Sequence, residues 1–466
     1  EPALQSLWAV EFAAAIFGSR AYDDSKEMRS AVRLEESLWQ GGKPFPWSVL
    51  YCRGLLNLTN HYQAVQSYYA SDNWKSLRAW GASGILPWDQ KAFYVSTTGT
   101  SWTDLTAIGD TLRRWNQPDC AFIGGGDVFT DKRHVFKPGE TICKCLVVLN
   151  DRRRRQCVRW RASFVGNEKS GEVTVPPGER RDVHVEFVAP REPGSFALEA
   201  SFEFEDNVRQ NDRFLVSVIE SFPAKNSRIA LYDPKRLTMR ELSRIGVPFK
   251  RYDDLKSALE LNDAVIIGRE GLSVEEYDNF VRPFARLGKR IVVFEQKRGV
   301  LEALGFRVQE YGLRQGFPRY REPRLMKFEN DLFRDWAGES TLIPPYLDNV
   351  AKFEWAYTKR SWAGFRNTRV WRCRNRGAVA TVVPEKPTKG DWCAWVDGGF
   401  DLQYAPLLEM RVGSGSVVFC QLDVTGRTEK DPMADELLRC LVGEGPSQER
   451  VGKRKLIAVG KASDAF

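Results

Sequence analysis

Apolar positions change their spacing along this chain, and each change predicts a different kind of structure. Up to about residue 118, short apolar runs alternate with helical stripes. "SLWAVEF" and "FPWSVLYC" (Phe45 to Cys52) predict strands. Ser25 to Gly42 predicts a helix: Ser25 is placed to cap it, Met28, Val32, Leu34, Leu38 and Trp39 fall near one stripe, and Gly41-Gly42 ends it. "SDNWKSLRAWG" predicts the next helix and "SGILPWD" the next strand. Strand and helix in alternation imply parallel pairing with right-handed crossovers.

The glycine-rich stretch Phe122 to Arg133 reads as a linker, because three consecutive glycines fit poorly inside an element. From His134 to about Ile219 the period becomes two, in runs such as "ICKCLVVLN" and "GSFALEASFEFED". Turn signals separate them, and the expectation is an antiparallel β-sandwich of immunoglobulin-like size. From Ser227 buried strands ("RIALYD", "AVIIG", "KRIVVFEQ") again alternate with helices. That pattern predicts a doubly wound α/β domain, with a less regular, turn-rich insertion from about Arg307 to Tyr404. The fold class expected is multidomain α/β plus all-β. The expected divisions are 1–118, 119–222 (linker and sandwich), 223–446, and a further segment at 447–466.

Composition adds limits. The chain has 466 residues, room for about three domains. Hydrophobic content of 42% and charged content of 28% are ordinary for a globular protein. No apolar run approaches the ~18 residues of a membrane span. Net charge is +8, densest in "DRRRRQCVRWR", Asp151 to Arg161. No nucleic-acid module accompanies it, so it reads as a solvated strand edge or a turn over an anion site. The nine cysteines are scattered, and the "CKC" at Cys143 to Cys145 lacks the second pair that a zinc site needs. "GREGLS" lacks the dinucleotide fingerprint. No metal or cofactor is expected. The N-terminus shows no signal-peptide pattern and begins inside what reads as packed structure, and the end, "KRKLIAVGKASDAF", reads as a strand that leads nowhere. The chain is therefore expected to be a piece of a longer protein, and its ends do not settle its localisation.

Fifteen Trp residues are many for this length. Indoles fill cores, and they also stack on sugar rings. Trp88-Asp89-Gln90 closes a predicted strand. At the C-terminal end of a parallel barrel strand, such a triplet offers a stacking face, a carboxylate and an amide to one pocket. The alternative is a Trp packed under a loop with Asp89 capping a turn. Trp47 and Tyr51 lie four apart on one strand and share a face, lining a site or filling a core. His61 follows in a polar loop, as a ligand contact or a surface residue. Glu11 is a carboxylate at a strand end, facing a pocket or capping the helix that follows.

"NWKSLRAWGASGILPWDQ" resembles the last helix and eighth strand of the catalytic barrel of glycoside hydrolase family 2, the β-galactosidase and β-glucuronidase group. A sandwich followed by a domain resembling a class I glutamine amidotransferase is similar to the arrangement in large bacterial members. "GSGSVVFCQLDVTGRTEKDPMADELLRCLV" looks like that domain's closing strand and helix. The resemblance implies that residues 1–118 are the C-terminal part of a (β/α)8 barrel. It implies a carbohydrate substrate bound by Trp88, Asp89, Gln90, Trp47, Tyr51 and His61, and leans to a periplasmic or secreted full-length protein. Retaining hydrolases of this kind use two glutamates about 5–5.5 Å apart, an acid/base and a nucleophile. The acid/base strand would lie upstream. The nucleophile would fall near Leu50 to Arg53, where the sequence departs from the family and has Cys52 but no Glu. Glu11 is the remaining catalytic candidate.

A glutamine-hydrolysing domain needs an elbow Cys and a His base. His61, His134 and His184 all precede the α/β region, and "RIVVFEQ" ends in Glu295-Gln296. That domain is therefore expected to be structural, packing a barrel or making a homo-oligomer contact. Three readings compete: a carbohydrate-active hydrolase fragment, a non-catalytic carbohydrate-binding or scaffold relative of one, and a small-molecule-binding α/β module unrelated to sugars.

Overall fold

A computed structural model of the chain describes residues 71, 74–81, 105, 107–129, 131–220, 229–318, 325, 327–342, 376–387, 390–398, 404–427 and 429–443. These residues form an all-β part followed by a mixed α/β part. The predicted strands and helix before residue 71 lie outside them.

Residues 74–79 are helical. Helix α1 (Ala107–Trp115) buries Ile108, Leu112 and Trp115, one stripe at helical spacing. Asp110 in its first turn and Arg113 and Arg114 in its last complement the helix dipole.

The all-β part consists of β1 (Asp119–Gly125), β2 (Val135–Phe136), β3 (Thr141–Asn150), β4 (Gln156–Phe164), β5 (Asn167–Val175), β6 (Glu179–Val188), β7 (Gly194–Glu203) and β8 (Arg209–Val218). They make a three-stranded sheet, β1-β3-β6, and a five-stranded sheet, β2-β8-β7-β4-β5. Every pairing is antiparallel except the short β2–β8 one. Alternation puts Leu198, Ala200 and Phe202 of β7 into the core with Ile142, Leu146 and Val148 of β3. Glu199 and Ser201 face out.

The expected linker is partly a strand. β1 includes Gly124 and Gly125, and Gly126 follows directly. The glycines are there for space. A Cβ on Gly125 would collide with the carbonyl oxygens of Val128 and Asp131, and one on Gly126 would sit 2.8 Å from that of Cys143. The backbone folds back on itself too closely for any side chain.

The basic run is largely neutralised within the sandwich. Arg152 forks onto Asp119 at 2.6 to 2.9 Å, Arg154 pairs with Asp206, and Arg159 reaches Glu203 at 3.0 Å. Cys143 is exposed and Cys145 buried, with no second thiol pair beside them among the described residues.

In the α/β part, β9 (Ile229–Tyr232), β10 (Phe249–Tyr252), β11 (Ala264–Ile267) and β12 (Arg290–Val293) alternate with helices α2 (Leu237–Arg244) and α3 (Leu255–Leu261). A helical run, Val274–Glu276 to Arg282–Arg286, completes the alternation, with a π turn at Tyr277–Val281 before Pro283. The remaining strands are β13 (Val308–Leu313), β14 (Gly316–Pro318), β15 (Trp336–Glu339), β16 (Arg376–Gly377), β17 (Ala380–Pro384), β18 (Trp392–Gly398), β19 (Tyr404–Val412) and β20 (Gly415–Cys420). Helices α4 (Val424–Arg427) and α5 (Pro432–Gly443) close the unit.

The large sheet has the order β10-β9-β11-β12-β20-β19-β18-β14. Its first five strands are parallel, and in chain order they run 2-1-3-4-5, a doubly wound arrangement. Both faces are covered. Ile229, Leu231, Ile266, Val292 and Val418 enter one core with Leu242 of α2 and Leu437 of α5. Ala230, Val265, Ile267, Ile291, Val293 and Val417 enter the other with Leu259 of α3 and Val281. Burial on two faces explains why these strands read as unbroken apolar runs. The expected insertion is more integral than its sequence suggested: β14, β18 and part of β19 extend the main sheet as antiparallel strands.

The two parts touch through β2. Val135 enters the first core of the α/β unit, and Lys137 Nζ lies 2.9 Å from Asp435 of α5.

Candidate functional site

The residues singled out for carbohydrate chemistry, Glu11, Trp47, Tyr51, His61, Trp88, Asp89 and Gln90, lie outside the described residues, as does Cys52. The helical segment leading towards Trp88 is described, and it is anchored. Trp74 Nε1 donates to Asn116 Oδ1 at 3.2 Å. Arg78 Nη1 donates to the carbonyls of Trp115 and Gln117, both at 2.6 Å, and Nη2 meets Asp151 at 2.6 Å. Lys75 Nζ bonds both carboxylate oxygens of Asp212 at 3.0 Å. Arg180 of β6 donates to the carbonyl of Ala79 at 2.9 Å. This segment is held against the sandwich by charged hydrogen bonds.

Chemistry-bearing side chains among the described residues gather at the carboxyl ends of the parallel strands. In doubly wound sheets that edge, where the strand order reverses, is where ligands bind. Four of the five parallel strands are followed by polar residues that meet here: Asp233 after β9, Arg269 after β11, Glu295 and Gln296 after β12, Gln421 and Asp423 after β20. All six are buried. Gln421 clamps two strand ends together, accepting from the N–H of Gln296 at 2.7 Å and donating to its carbonyl at 2.8 Å. Asp423 accepts from the N–H and the hydroxyl of Thr341, both at 2.8 Å, from Arg427 Nε at 3.1 Å and from Arg269 Nη1 at 3.2 Å. Arg427 in turn donates to the carbonyls of Trp336, Ala337 and Ala378 at 2.7 to 3.0 Å. Asp233 Oδ2 accepts from the N–H of Met239 at 2.7 Å and so holds the start of α2, while Oδ1 has no hydrogen-bond partner.

Glu295 is the group here that titrates near neutrality. Burial raises its carboxyl to about 7, opposed by Arg269 and reinforced by Asp423. Both its oxygens are taken: Thr425 supplies its N–H and its hydroxyl, each at 2.8 Å. Thr341 brings its own N–H and hydroxyl to this edge. Among the described residues the cluster is buried, and its hydrogen bonds lock loops to strand ends.

A thiol mechanism has no support here. Cys420, at the end of β20, is fully buried, and burial pushes its thiol well above the ordinary range. Its Sγ points to the carbonyl of Leu422, 3.7 Å away. No His follows His184 in the chain. His134 reaches the α/β unit from outside and contacts Asp331, not the strand ends. Among the described residues no group of three or more His, Cys, Asp or Glu is placed to hold a metal ion. No described helix is long and apolar enough to cross a membrane.

Sequence reasoning found Glu295-Gln296 at a strand end but missed Arg269, Asp423, Thr425 and Arg427. The available signal was positional: each lies within a few residues of the end of a buried apolar run.

No protein-family model matches this chain, and no curated protein matches it. Solved structures share parts of it. A CARDB domain of the PF1109 protein from Pyrococcus furiosus, in complex with di-metal ions, is similar over 22% of this chain and 87% of its own, at 19% identity and a TM-score of 0.18. Alpha-2-macroglobulin from E. coli is similar over 23% of this chain and 7% of its own, at 18% identity and a TM-score of 0.20. A family 123 glycoside hydrolase from Clostridium perfringens is similar over 38% of each chain, at 9% identity and a TM-score of 0.18. These likenesses are partial and carry no functional conclusion.

Proposed function

We propose that this chain is part of a carbohydrate-active glycoside hydrolase acting on β-linked glycosides, related to the β-galactosidase and β-glucuronidase group. The observation that carries the reading is the sequence Trp88-Asp89-Gln90 at the end of a predicted strand, directly after the Trp74 to Trp80 segment. The order of parts supports it: a sandwich follows, then a doubly wound unit whose parallel strands run 2-1-3-4-5. In this reading residues 1–118 close a catalytic barrel. Trp88 stacks on a sugar ring, and Asp89 and Gln90 bind its hydroxyls. Trp47, Tyr51 and His61 line the same pocket, and Glu11 is its remaining carboxylate. The α/β unit corresponds to a flavodoxin-like, amidotransferase-type domain that is non-catalytic and available for homo-oligomer contact. Its buried, mutually hydrogen-bonded strand-end cluster and the buried thiol of Cys420 support that role.

A second reading is a non-catalytic carbohydrate-binding or scaffold protein descended from such a hydrolase. The absence of Glu between Leu50 and Arg53 favours it.

The test compares this chain, and a version extended upstream, on a panel of aryl β-glycosides. The hydrolase reading expects turnover from the extended protein and none from this chain, because hydrolysis needs two carboxyl groups across one bond. Turnover by this chain that is lost in Glu11→Gln would make Glu11 catalytic. No turnover from either, with sugar binding that is lost in Trp88→Ala, selects the second reading. Neither turnover nor sugar binding sinks both.

A further inference from the structure

An open groove of about 460 Å³ lies on the outer face of the five-stranded sheet, beside the C-terminal end of α1. Three strands and the helix supply its lining: Arg161 and Ser163 from β4, Ser201 from β7, Asn211 and Arg213 from β8, and Arg114 from α1. The register makes these residues neighbours. Arg161 stands opposite Ser201, which stands opposite Asn211, while Ser163 stands opposite Glu199, which stands opposite Arg213. Their alternates along the strands, Ala162, Ala200 and Phe202, are core residues, so the polar face is fixed by the pleat.

The groove has an excess of positive charge. Its two lining carboxylates are Glu199 and Asp212. Asp212 is taken by Lys75, at 3.0 Å, and by the N–H of Ile123, at 2.9 Å. Of the lining carboxylates this leaves Glu199 beside the guanidiniums of Arg114, Arg161 and Arg213. Arg114 is held in place, with Nη2 donating to the carbonyl of Asn211 and its guanidinium 4.5 Å from the centre of the Trp115 ring. Arg161 has one exposed partner at the sheet edge, Glu168 at 3.4 Å.

We propose that this groove binds an anionic carbohydrate. The guanidiniums take its carboxylate or sulfate groups, and Ser163, Ser201 and Asn211 take its hydroxyls. Guanidinium forks match planar or tetrahedral oxyanions bidentately. Among the described residues no aromatic side chain lines the groove, so they offer no stacking platform for a neutral sugar or a nucleobase. This inference concerns a site on the sandwich and does not depend on whether the chain hydrolyses glycosides.

The experiment is calorimetric titration of the full chain with four probes: an oligogalacturonate, a sulfated chondroitin oligosaccharide, a neutral cello-oligosaccharide and single-stranded oligo(dT). Binding of at least one acidic sugar is expected, with the neutral sugar silent and the oligonucleotide weaker. Binding of the oligogalacturonate shows that carboxylates suffice, and binding of the chondroitin probe alone shows that sulfate is needed, because that probe carries both groups. Arg161→Gln and Arg213→Gln should each weaken binding about tenfold, as loss of a charged hydrogen bond does. The double variant should abolish it. Arg181→Gln, an exposed arginine on the other sheet, should change nothing. All three positions are exposed, so the variants keep the fold, checked by unchanged thermal unfolding. Silence with both acidic sugars overturns the proposal. So does equal binding of the neutral sugar, tighter binding of oligo(dT), or an equal loss in Arg181→Gln.

Discussion

The Nε2 of His134 lies 2.8 Å from the carbonyl oxygen of Asp331, a bond that joins the sandwich to the α/β unit across 197 residues of sequence. Its other nitrogen, Nδ1, faces the carbonyl of Lys132 at 3.3 Å. Nε2, the closer, is the donor in the neutral ring. The imidazole is fully buried. Burial lowers its pKa to about 4, with Arg334 acting in the same direction and Asp331 and Asp335 opposing. His134 is therefore neutral in the folded chain. Its folded pKa lies below its unfolded value, so its stabilisation is complete above about pH 6.5 and is lost as pH falls towards 4.

His134→Phe should show this in urea unfolding. At pH 7.5 the variant loses roughly 1–2 kcal/mol, because the carbonyl of Asp331 loses its donor. At pH 5 the wild type itself has lost on the order of 2 kcal/mol through this group, and the variant has not. The gap between the two proteins therefore narrows with acid. A gap that is constant or widens would show that His134 is charged when folded.

Glu295 has the opposite pH signature. Its carboxyl is raised to about 7 in the folded chain. The ionised form is disfavoured, so folding is penalised as pH rises from about 4.5 to 7, and the penalty is full above that. Between pH 5 and pH 8 the cost grows by on the order of 2–3 kcal/mol. Glu295→Gln abolishes this slope. Its amide accepts from the N–H of Thr425 and donates to the hydroxyl, as the protonated carboxyl does, so the two proteins should be of similar stability at pH 5. At pH 8 it should exceed the wild type. Parallel stability profiles for the two proteins would contradict the raised pKa.

Much of this architecture was legible in the sequence because its cause is periodic. Leu198, Ala200 and Phe202 alternate with outward Glu199 and Ser201, and burial on one face leaves that trace in any antiparallel strand. Ile291 and Val292 enter opposite cores, which reads as an unbroken apolar run and a parallel strand. Other features had no local trace. Gly124 to Gly126 read as a linker, because the need for glycine arises from close backbone approach, by Val128 and Asp131 at Gly125 and by Cys143 of β3 at Gly126, and spacing along the sequence does not record it. β14 and β18 sat in an apparently irregular insertion, yet they pair at the edge of the main sheet. His134 was counted as lying before the α/β unit, and in space it belongs to the contact with it. At the strand ends Glu295 was visible, but Thr425, which takes both its oxygens, follows another strand.

Gly125 provides a direct test of the close backbone approach. A Cβ there would overlap the carbonyl oxygens of Val128 and Asp131, and backbone cannot rotate away as a side chain can. Gly125→Ala should cost about 3 kcal/mol, at the upper end of overpacking effects. Gly139 makes a control. It has φ +76°, and nothing lies within 4 Å of the place a Cβ would take. Gly139→Ala should cost about 1 kcal/mol, from the left-handed conformation alone. Equal losses at the two sites would mean that the loop relaxes to admit the methyl group. Thermal unfolding of both variants decides it.

Lys144 is the least expected residue of the sandwich interior. It lies on β3 between Cys143 and Cys145, on the face that Ile142 and Leu146 give to the core. Its Nζ donates to the carbonyl of Arg133 at 2.6 Å and stands 3.8 Å from the centre of the Phe214 ring. These contacts do not offset burial, which lowers its pKa to about 7, against the pull of Asp131. The folded pKa lies below the unfolded value, so the cost of the ammonium is full below about pH 7. The cost shrinks as pH rises towards 10.5, where the amine is neutral in both states. Lys144→Met keeps the apolar stem and removes the charge. At pH 6 the variant should be more stable by roughly 1–4 kcal/mol, the range seen when buried charges are replaced by apolar groups. Between pH 7 and pH 10 the wild type should gain on it, and the two melting temperatures should converge. A variant less stable than the wild type at pH 6 would show that the bond to Arg133 and the Phe214 ring outweigh desolvation, and that the folded pKa is not lowered.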